Sequence, residues 1–126
     1  MRFVRTEQVD AQPVAMEGAS GVTMRLLIGR EHGAPTFSMR QFTVAPGGHT
    51  PLHRHNYEHE VVVQSGKGVV QLGRTHRGVA AGDVLLVPAN ELHQFKATGD
   101  QPLVFLCLVP ASFDCGDGRC QPTPGG

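Results

Sequence analysis

The chain has 126 residues, a length typical of one domain that buries a hydrophobic core without help from disulfides. Eleven Lys and Arg balance eleven Asp and Glu, and the zero net charge argues against a nucleic acid or an anionic membrane as partner. The absence of Trp and the single Tyr exclude an aromatic platform for stacking bases.

The chain also lacks the features of an exported or membrane-bound protein. No apolar run reaches the roughly 18–20 residues that cross a bilayer, and the N-terminal sequence MRFVRTEQVD lacks the apolar core of a signal peptide. Three cysteines, an odd number, do not describe a secreted disulfide framework. These observations predict a cytoplasmic protein whose partner is a small molecule.

Short apolar segments separated by turns follow an N-terminal arm (1–21). Segments rich in Val, Leu, Ile and Phe favour β-strands, and turn signals such as REHGAP, SGKG and ATGDQP separate them. The predicted strands cover 23–30, 36–44, 60–65, 68–73, 83–88 and 103–110. This pattern predicts one all-β domain over residues 22–110, a sandwich or a barrel. Residues 111–126, rich in Gly and Pro, predict an irregular tail.

The second predicted strand, TFSMRQFTV, alternates imperfectly. Phe37 and Met39 are odd-numbered, whereas Phe42 and Val44 are even-numbered, and a β-bulge near Arg40 would reconcile the two halves. Such a bulge would turn Arg40 inward, where a guanidinium can bind a carboxylate bidentately.

The segment HTPLHRHNYEHE (49–60) holds four of the seven histidines. On a strand, His53 and His55 project from the same face. His59 joins them if the strand continues through Tyr57, whereas a turn at 56–58 would reset the alternation. Neutral imidazole is a common ligand of divalent transition metals, and one shared ion would satisfy rings that are otherwise buried and unpaired. The pattern therefore predicts a metal site.

The other three histidines are assigned no metal. His49 lies beside a Gly pair and is read as a loop residue, while His32 and His76 are isolated. An isolated histidine is expected to be a polar or half-buried residue of no special function.

The segment PGGHTPLHRHNYEHEVVVQSGKG resembles the first sequence motif of the cupin superfamily. That motif runs Gly, five residues, His-x-His, three or four residues, Glu, six residues, Gly. Gly47 or Gly48 opens it here, His53 and His55 form the pair, and Gly66 closes it. The spacing places His59, rather than Glu60, at the position of the usual Glu.

GDVLLVPANELHQFKA (82–97) resembles the second cupin motif, which runs Gly, five residues, Pro-x-Gly, two residues, His, three residues, Asn. Gly82, Pro88 and His93 fit it, while Asn90 stands where Gly is usual and Ala97 where Asn is usual. Both departures lie in turn or flanking positions and leave the metal-binding His in place.

This resemblance implies a cupin-type double-stranded β-helix, a jelly-roll barrel, with one divalent metal in its bowl. The implied ligands are His53, His55, His59 and His93, an all-imidazole set found in small single-domain bacterial cupins. Imidazole suits Mn, Fe, Co, Ni, Cu and Zn, and the resemblance favours Mn or Fe. Four neutral ligands would leave the full double charge of the ion in the bowl.

Four side chains are candidates to act beside the metal. Phe105 and Cys107 share one face of the last predicted strand, which lines the bowl in this family, although Phe105 as plain core and Cys107 as a small buried residue are the competing readings. Arg40 joins them if the bulge exists, and Tyr57 is a candidate for proton transfer. Cys115 and Cys120 in the tail are read as free thiols, with a redox-sensitive pair as the alternative.

Three functions fit this site. The first, which is the predicted function, is an oxygenase acting on a small organic substrate, in which a chelating substrate and dioxygen occupy open positions of the ion; the other two are alternatives. The second is a non-oxidative isomerase, decarboxylase or lyase that uses the ion as a Lewis acid. The third is a binding or sensor module without turnover. Exposed sheet edges and the resemblance together predict a homodimer.

Overall fold

The fold is built almost entirely of strands. The structure, a computed structural model, describes residues 1–113. The strands of this part are β1 (Gln12–Pro13), β2 (Ser20–Ile28), β3 (Phe37–His49), β4 (His59–Ser65), β5 (Lys67–Leu72), β6 (Thr75–Ala80), β7 (Val84–Val87), β8 (His93–Ala97) and β9 (Leu103–Pro110). Three short 3₁₀ helices cover Thr6–Gln8, Arg30–His32 and Ala111–Phe113. Among the residues described, none belongs to a helix of the length and apolarity needed to cross a membrane.

All strand pairs are antiparallel, and one curled sheet contains them in the order β6-β5-β8-β3-β9-β4-β7. Strand β2 pairs with β3, and the short β1 pairs with β2. Several neighbours in this sheet are distant in sequence: β9, for example, lies between β3 and β4. This connectivity is that of a single-domain jelly roll, so the predicted all-β fold class is confirmed.

Each predicted strand corresponds to an observed one, but three strands were missed: the two-residue β1 in the arm, β6 and β8. β6 has four exposed residues at its start and lacks an apolar pattern, and β8 has only five residues, two of them buried and polar. The strand predicted over 36–44 extends to His49 as β3, through two glycines. A Cβ on Gly48 would collide with the carbonyl oxygen of Ser20, so this glycine permits the close approach of β2.

The bulge near Arg40 lies in the neighbouring strand. β3 pairs with β9 without a shift from Phe37 to Val44, whereas the register of β2 against β3 shifts between Leu26 and Ile28, opposite Arg40. Regular alternation in β3 therefore places Arg40 on the inner face, and its side chain is 5% exposed. The inward orientation was predicted correctly, but the prediction placed the cause in the wrong strand.

The core lies between the two halves of the curled sheet. Along β9, fully buried side chains alternate with half-buried ones, so both faces of this apolar strand are covered. Gly66, which closes the first histidine motif, turns the chain from β4 to β5 with a φ of 83°. A Cβ there would collide with the carbonyl oxygen of Pro102, so the position requires glycine.

The N-terminal residues pack along β2 rather than extending into solvent. The backbone N–H of Val14 donates to the carbonyl of Val22 (2.9 Å). Two arginine side chains add hydrogen bonds to backbone carbonyls: Arg25 Nε donates to Val9 (2.9 Å) and Arg2 Nε to Leu27 (2.8 Å). The arm is thereby fixed over one side of the bowl.

Candidate metal centre

The two histidine-bearing segments meet through their backbones. His53 and His93 form an antiparallel β-bridge, in which each N–H donates to the other residue's carbonyl (3.1 and 2.9 Å). The N–H of Asn90 donates to the carbonyl of His55 (2.7 Å). Because three backbone hydrogen bonds join them, the spacing between His93 and the His-x-His pair is set by main-chain geometry.

The histidines do not lie on one continuous strand. The chain bends at Asn56 and Tyr57 before β4 begins at His59, so the simple alternation from His53 to His59 does not apply. His59 nevertheless faces the bowl and is 6% exposed. The turn at 56–58, which was one of the two alternatives for this segment, is therefore present. β4 begins after it with the side chain of His59 directed back into the bowl.

Three imidazoles form a nearly equilateral triangle. The ring centroids of His53, His55 and His93 are 4.8–4.9 Å apart, and one nitrogen from each lies within 4.8 Å of the others. His59 adjoins this triangle: its Nε2 is 2.8 Å from Nε2 of His55, and its ring is 5.2 Å from that of His93. The cluster thus has a three-histidine core, with His59 as a fourth histidine against His55 and His93.

Hydrogen bonds at Nδ1 orient three of the four rings. Nδ1 of His93 lies 2.9 Å from the carbonyl of Glu91, and Nδ1 of His55 lies 3.4 Å from the carbonyl of Tyr57. Nδ1 of His59 contacts Sγ of Cys107 at 3.1 Å. These contacts leave Nε2 of each ring to face the cluster, an arrangement typical of metal-binding histidines.

Burial keeps the cluster neutral at physiological pH. Desolvation, followed by the charge of His93, lowers the pKa of His53 to about 4 and that of His55 to about 3. Desolvation also lowers the pKa of His59 and of His93. Neutral imidazoles carry the lone pair that a metal ion requires, so every ring in the cluster is in its metal-binding form.

Asn90 explains one departure from the second motif. The motif usually has Gly at this position, and Asn90 adopts the left-handed conformation that glycine favours, with a φ of 67°. Asn tolerates this region better than other residues that carry a Cβ. The turn before His93 is therefore formed without glycine, and the N–H of Asn90 still reaches His55.

Comparison with known proteins agrees with this geometry. The cupin domain model matches residues 40–109, more than half of the chain. The chain belongs to the cupin family. Its two motifs supply the histidine cluster, and its inner strands supply the wall around it.

This cupin is similar to proteins of different activities. It is 42% identical over 79 residues to 1-methylthio-D-xylulose 5-phosphate methylsulfurylase from Rhodospirillum rubrum, a match covering 63% of this chain and 51% of that protein. It is 33% identical over 87 residues to auxin-binding protein 1 from Arabidopsis thaliana, covering 62% and 44%. The chain thus spans about half the length of these curated relatives. The structure of a polyketide cyclase from Streptomyces resistomycificus has a TM-score of 0.84 and 32% identity, covering 98% of this cupin and 82% of that chain.

The four side chains predicted to act beside the metal also line the bowl of this cupin. Arg40, Tyr57, Phe105 and Cys107 all face the cavity that contains the histidines. Tyr57 stacks on His55, with ring centroids 4.0 Å apart and 3° between the planes. Burial raises the pKa of the Tyr57 phenol and of the Cys107 thiol, so both groups hold their protons at neutral pH.

The remaining histidines lie outside the cluster. His49 ends β3, and His76 is exposed on β6. His32 lines the cavity, and its Nδ1 accepts a hydrogen bond from the N–H of Gly29 (2.9 Å). Cys115 and Cys120 fall outside the described residues, so the prediction about these two thiols is not tested.

The cavity has a volume of about 420 Å³, in the range of small-molecule sites. Sequence reasoning missed one wall, which is formed by the N-terminal arm. Arm residues that line the cavity are Arg2, Val9, Asp10, Gln12, Pro13, Val14, Ala15 and Met16. Nothing in the local pattern of the arm indicates this role, because it depends on how the arm packs along β2.

Proposed function

We propose that this cupin is a metal-dependent enzyme that acts on a small organic substrate, with His53, His55, His93 and His59 as metal ligands. The observation that carries the proposal is the triangle of buried, neutral imidazoles whose nitrogens lie within 4.8 Å of one another. Such a cluster has no evident use in packing, because polar nitrogens without partners are costly to bury.

The residues fit a divalent transition metal. Among residues 1–113, Nδ1 of His53 is buried and has no hydrogen-bond partner, whereas Nδ1 of His55, His59 and His93 is anchored. Mn, Fe, Co, Ni, Cu and Zn all accept imidazole ligands, and Mn or Fe is favoured by the resemblance. When bound, such an ion supplies a Lewis acid that polarises an oxygen of the substrate.

The protein's own side chains would position the substrate and hold protons. The neutral phenol of Tyr57, which lines the cavity beside His55, can donate a proton or a hydrogen bond to a developing oxyanion. Cys107 fixes the ring of His59 through Nδ1. The apolar wall of the cavity, which includes Phe42 and Phe105, keeps bulk water from the reacting atoms.

The reaction class that we favour is non-oxidative carbonyl chemistry, such as isomerisation, cyclisation or decarboxylation. Its support is the likeness to a polyketide cyclase, which extends over nearly the whole of this chain, including the arm that lines the cavity. A polarised carbonyl acidifies the neighbouring C–H bond; water would accept the proton that leaves the carbon, and the neutral phenol of Tyr57 would donate to the enolate oxygen that forms.

An oxygenase is the second candidate. Its support is the scarcity of proton-transfer groups: among the described side chains that line the cavity, Tyr57 and Cys107 are the buried proton donors outside the histidine cluster. An oxygenase needs few such groups, because the metal, the substrate and dioxygen carry the reaction.

Metal analysis of protein purified without added metal tests the proposal. We expect about one equivalent of a transition metal per chain, lost in His53→Ala and His93→Ala and retained in the exposed control His76→Ala. Oxygen uptake by the loaded protein with diketones and phenols identifies an oxygenase, whereas product formation without oxygen uptake identifies carbonyl chemistry. A protein that neither retains nor takes up Mn, Fe, Co, Ni, Cu or Zn would exclude both.

A further inference from the structure

Three aromatic rings form a stacked column that runs from the surface to the histidine cluster. The ring of His55 lies face to face with that of Tyr57, with centroids 4.0 Å apart and 3° between the planes. Tyr57 in turn stacks on Phe113, at 4.3 Å and 12°. Two rings cannot occupy the same face of a third ring at such distances, so Tyr57 is enclosed between its two neighbours. Because Phe113 is 37% exposed and His55 only 3%, the column joins a surface side chain to the cluster.

The segment after β9 brings Phe113 to this place. Phe113 ends the short 3₁₀ helix Ala111–Phe113, which directly follows β9. The side chain of Ala111 is 5% exposed, and its N–H donates to the carbonyl of Thr36 (3.0 Å). These contacts fix the start of the helix beside β3. The stack of Phe113 on Tyr57 therefore joins this segment to the bend that precedes β4.

The column matters for His55 because its hydrogen-bonded anchor is weak. Nδ1 of His55 lies 3.4 Å from the carbonyl of Tyr57, beyond the range of about 2.7–3.2 Å that is usual for an N–H···O bond. Nδ1 of His93, by contrast, lies 2.9 Å from the carbonyl of Glu91. The other three histidines meet His55 edge-to-face. The ring of Tyr57 is thus the flat surface against which the imidazole of His55 lies.

The position of Tyr57 affects two parts of the site. Tyr57 lies in the bend between His55 and β4, outside any strand, and it lines the cavity. A shift of its ring would therefore change both the plane of the His55 imidazole and the place of the phenol. Phe113 contacts the far face of Tyr57, away from the cavity, so its effect on the site passes through Tyr57.

We propose that Phe113 is a positioning residue: it holds Tyr57 against His55 and thereby fixes the plane in which this imidazole presents Nε2 to the cluster. The consequence for metal binding rests on the proposed function, whereas the coupling of the three rings is a property of the metal-free protein. Stacked aromatic pairs stabilise a structure beyond the area that they bury. Loss of the Phe113 ring would uncover one face of Tyr57 and allow the bend to move.

Zinc titration against a chromophoric chelator, together with the NMR signals of the histidine rings, tests the inference. Phe113→Ala is expected to weaken zinc binding about three- to ten-fold. In metal-free protein it should also shift the ring signals of His55, which Tyr57 separates from Phe113; these signals are assigned by their loss in His55→Gln. Phe113→Tyr, which keeps the ring, should restore both properties, and Phe113→Leu should restore them in part. Phe3→Ala, which removes a phenylalanine that is 88% exposed, should change neither.

The outcomes separate this inference from the proposed function. Unchanged His55 signals in Phe113→Ala, equal effects of Phe113→Ala and Phe113→Tyr, or zinc affinity within about two-fold of that of a zinc-binding parent protein would overturn it. If the parent protein takes up no zinc, the proposed function fails, and His55 signals that shift in Phe113→Ala and return in Phe113→Tyr still support the coupling.

Thermal unfolding shows whether each variant is folded. Where Phe113→Ala is not, the comparison of Phe113→Leu with Phe113→Tyr decides. A shift of the His55 signals in the leucine variant alone supports the inference, and identical signals in the two variants overturn it.

Discussion

The geometry is compatible with two roles for His59, a ligand of the metal or a hydrogen-bond partner of His55. Its Nε2 is 2.8 Å from Nε2 of His55, a distance that suits a hydrogen bond between neutral imidazoles. It also suits two ligands of one ion, because ligands at about 2.1 Å from a metal and at right angles lie about 3.0 Å apart. We predict that His59 is a ligand.

The two alternatives differ in magnitude. A full set of four ligands binds a structural zinc ion with about 10–16 kcal/mol, so the loss of one ligand costs about 3 kcal/mol, or about a hundred-fold in Kd. A hydrogen bond to His55 contributes only about 0.5–1.5 kcal/mol, at most about ten-fold. His59→Ala is therefore expected to weaken zinc binding about as strongly as His53→Ala.

Competition titration with a chromophoric chelator measures this effect in metal-free protein. The chain has no Trp and one Tyr, and Tyr57 stacks on His55, so tyrosine emission gives a second signal from the site. His59→Gln, which leaves less of a cavity, separates ligand loss from misfolding, and His76→Ala controls for removal of a histidine. A loss of less than about ten-fold in both His59 variants would refute the ligand assignment.

Further predictions concern the surroundings of the cluster and the whole chain. Cys107→Ala should weaken metal binding about ten-fold, and Cys107→Ser, which keeps a polar partner for Nδ1 of His59, should weaken it less; equal losses in the same titration contradict this. Asn90→Ala should lower the free energy of unfolding by about 1 kcal/mol because of its positive φ, whereas Asn90→Gly should not; urea unfolding shows the difference. Since the pKa values of His53 and His55 lie near 4 and 3, below the value of 6.5 of the unfolded chain, the unfolded state takes up protons first as the pH falls. The metal-free protein should therefore be most stable above about pH 6.5 and lose stability below it, and a melting temperature that stays constant from pH 7.5 to 4.5 would contradict this. Light scattering should give a dimer of about twice 13.5 kDa; a monomer mass would remove that prediction.

Much of the fold could be predicted from the sequence, because the strands carry their own apolar pattern. The segment LVFLCLVP becomes β9 with the predicted bounds. β8 was missed because HQFKA is short and carries buried polar residues, which are stabilised by contacts from other segments. The backbone N–H of Phe95, for example, donates to Oγ1 of Thr50 (2.8 Å), a residue 45 positions away.

The histidine spacings by themselves determined which imidazoles were candidates for one metal site, because the two motifs fix the local positions of His53, His55, His59 and His93. Only the tertiary structure decided how these rings meet. The backbone bridge between His53 and His93 closes the triangle, and the bend at Asn56 and Tyr57 leaves His59 against His55. The arm over the cavity and the stack of Phe113 on Tyr57 also arise from tertiary packing. The sequence could not predict these contacts because they join residues far apart in the chain. Hydrophobic periodicity indicates which face of a strand is buried, but not which segment covers that face.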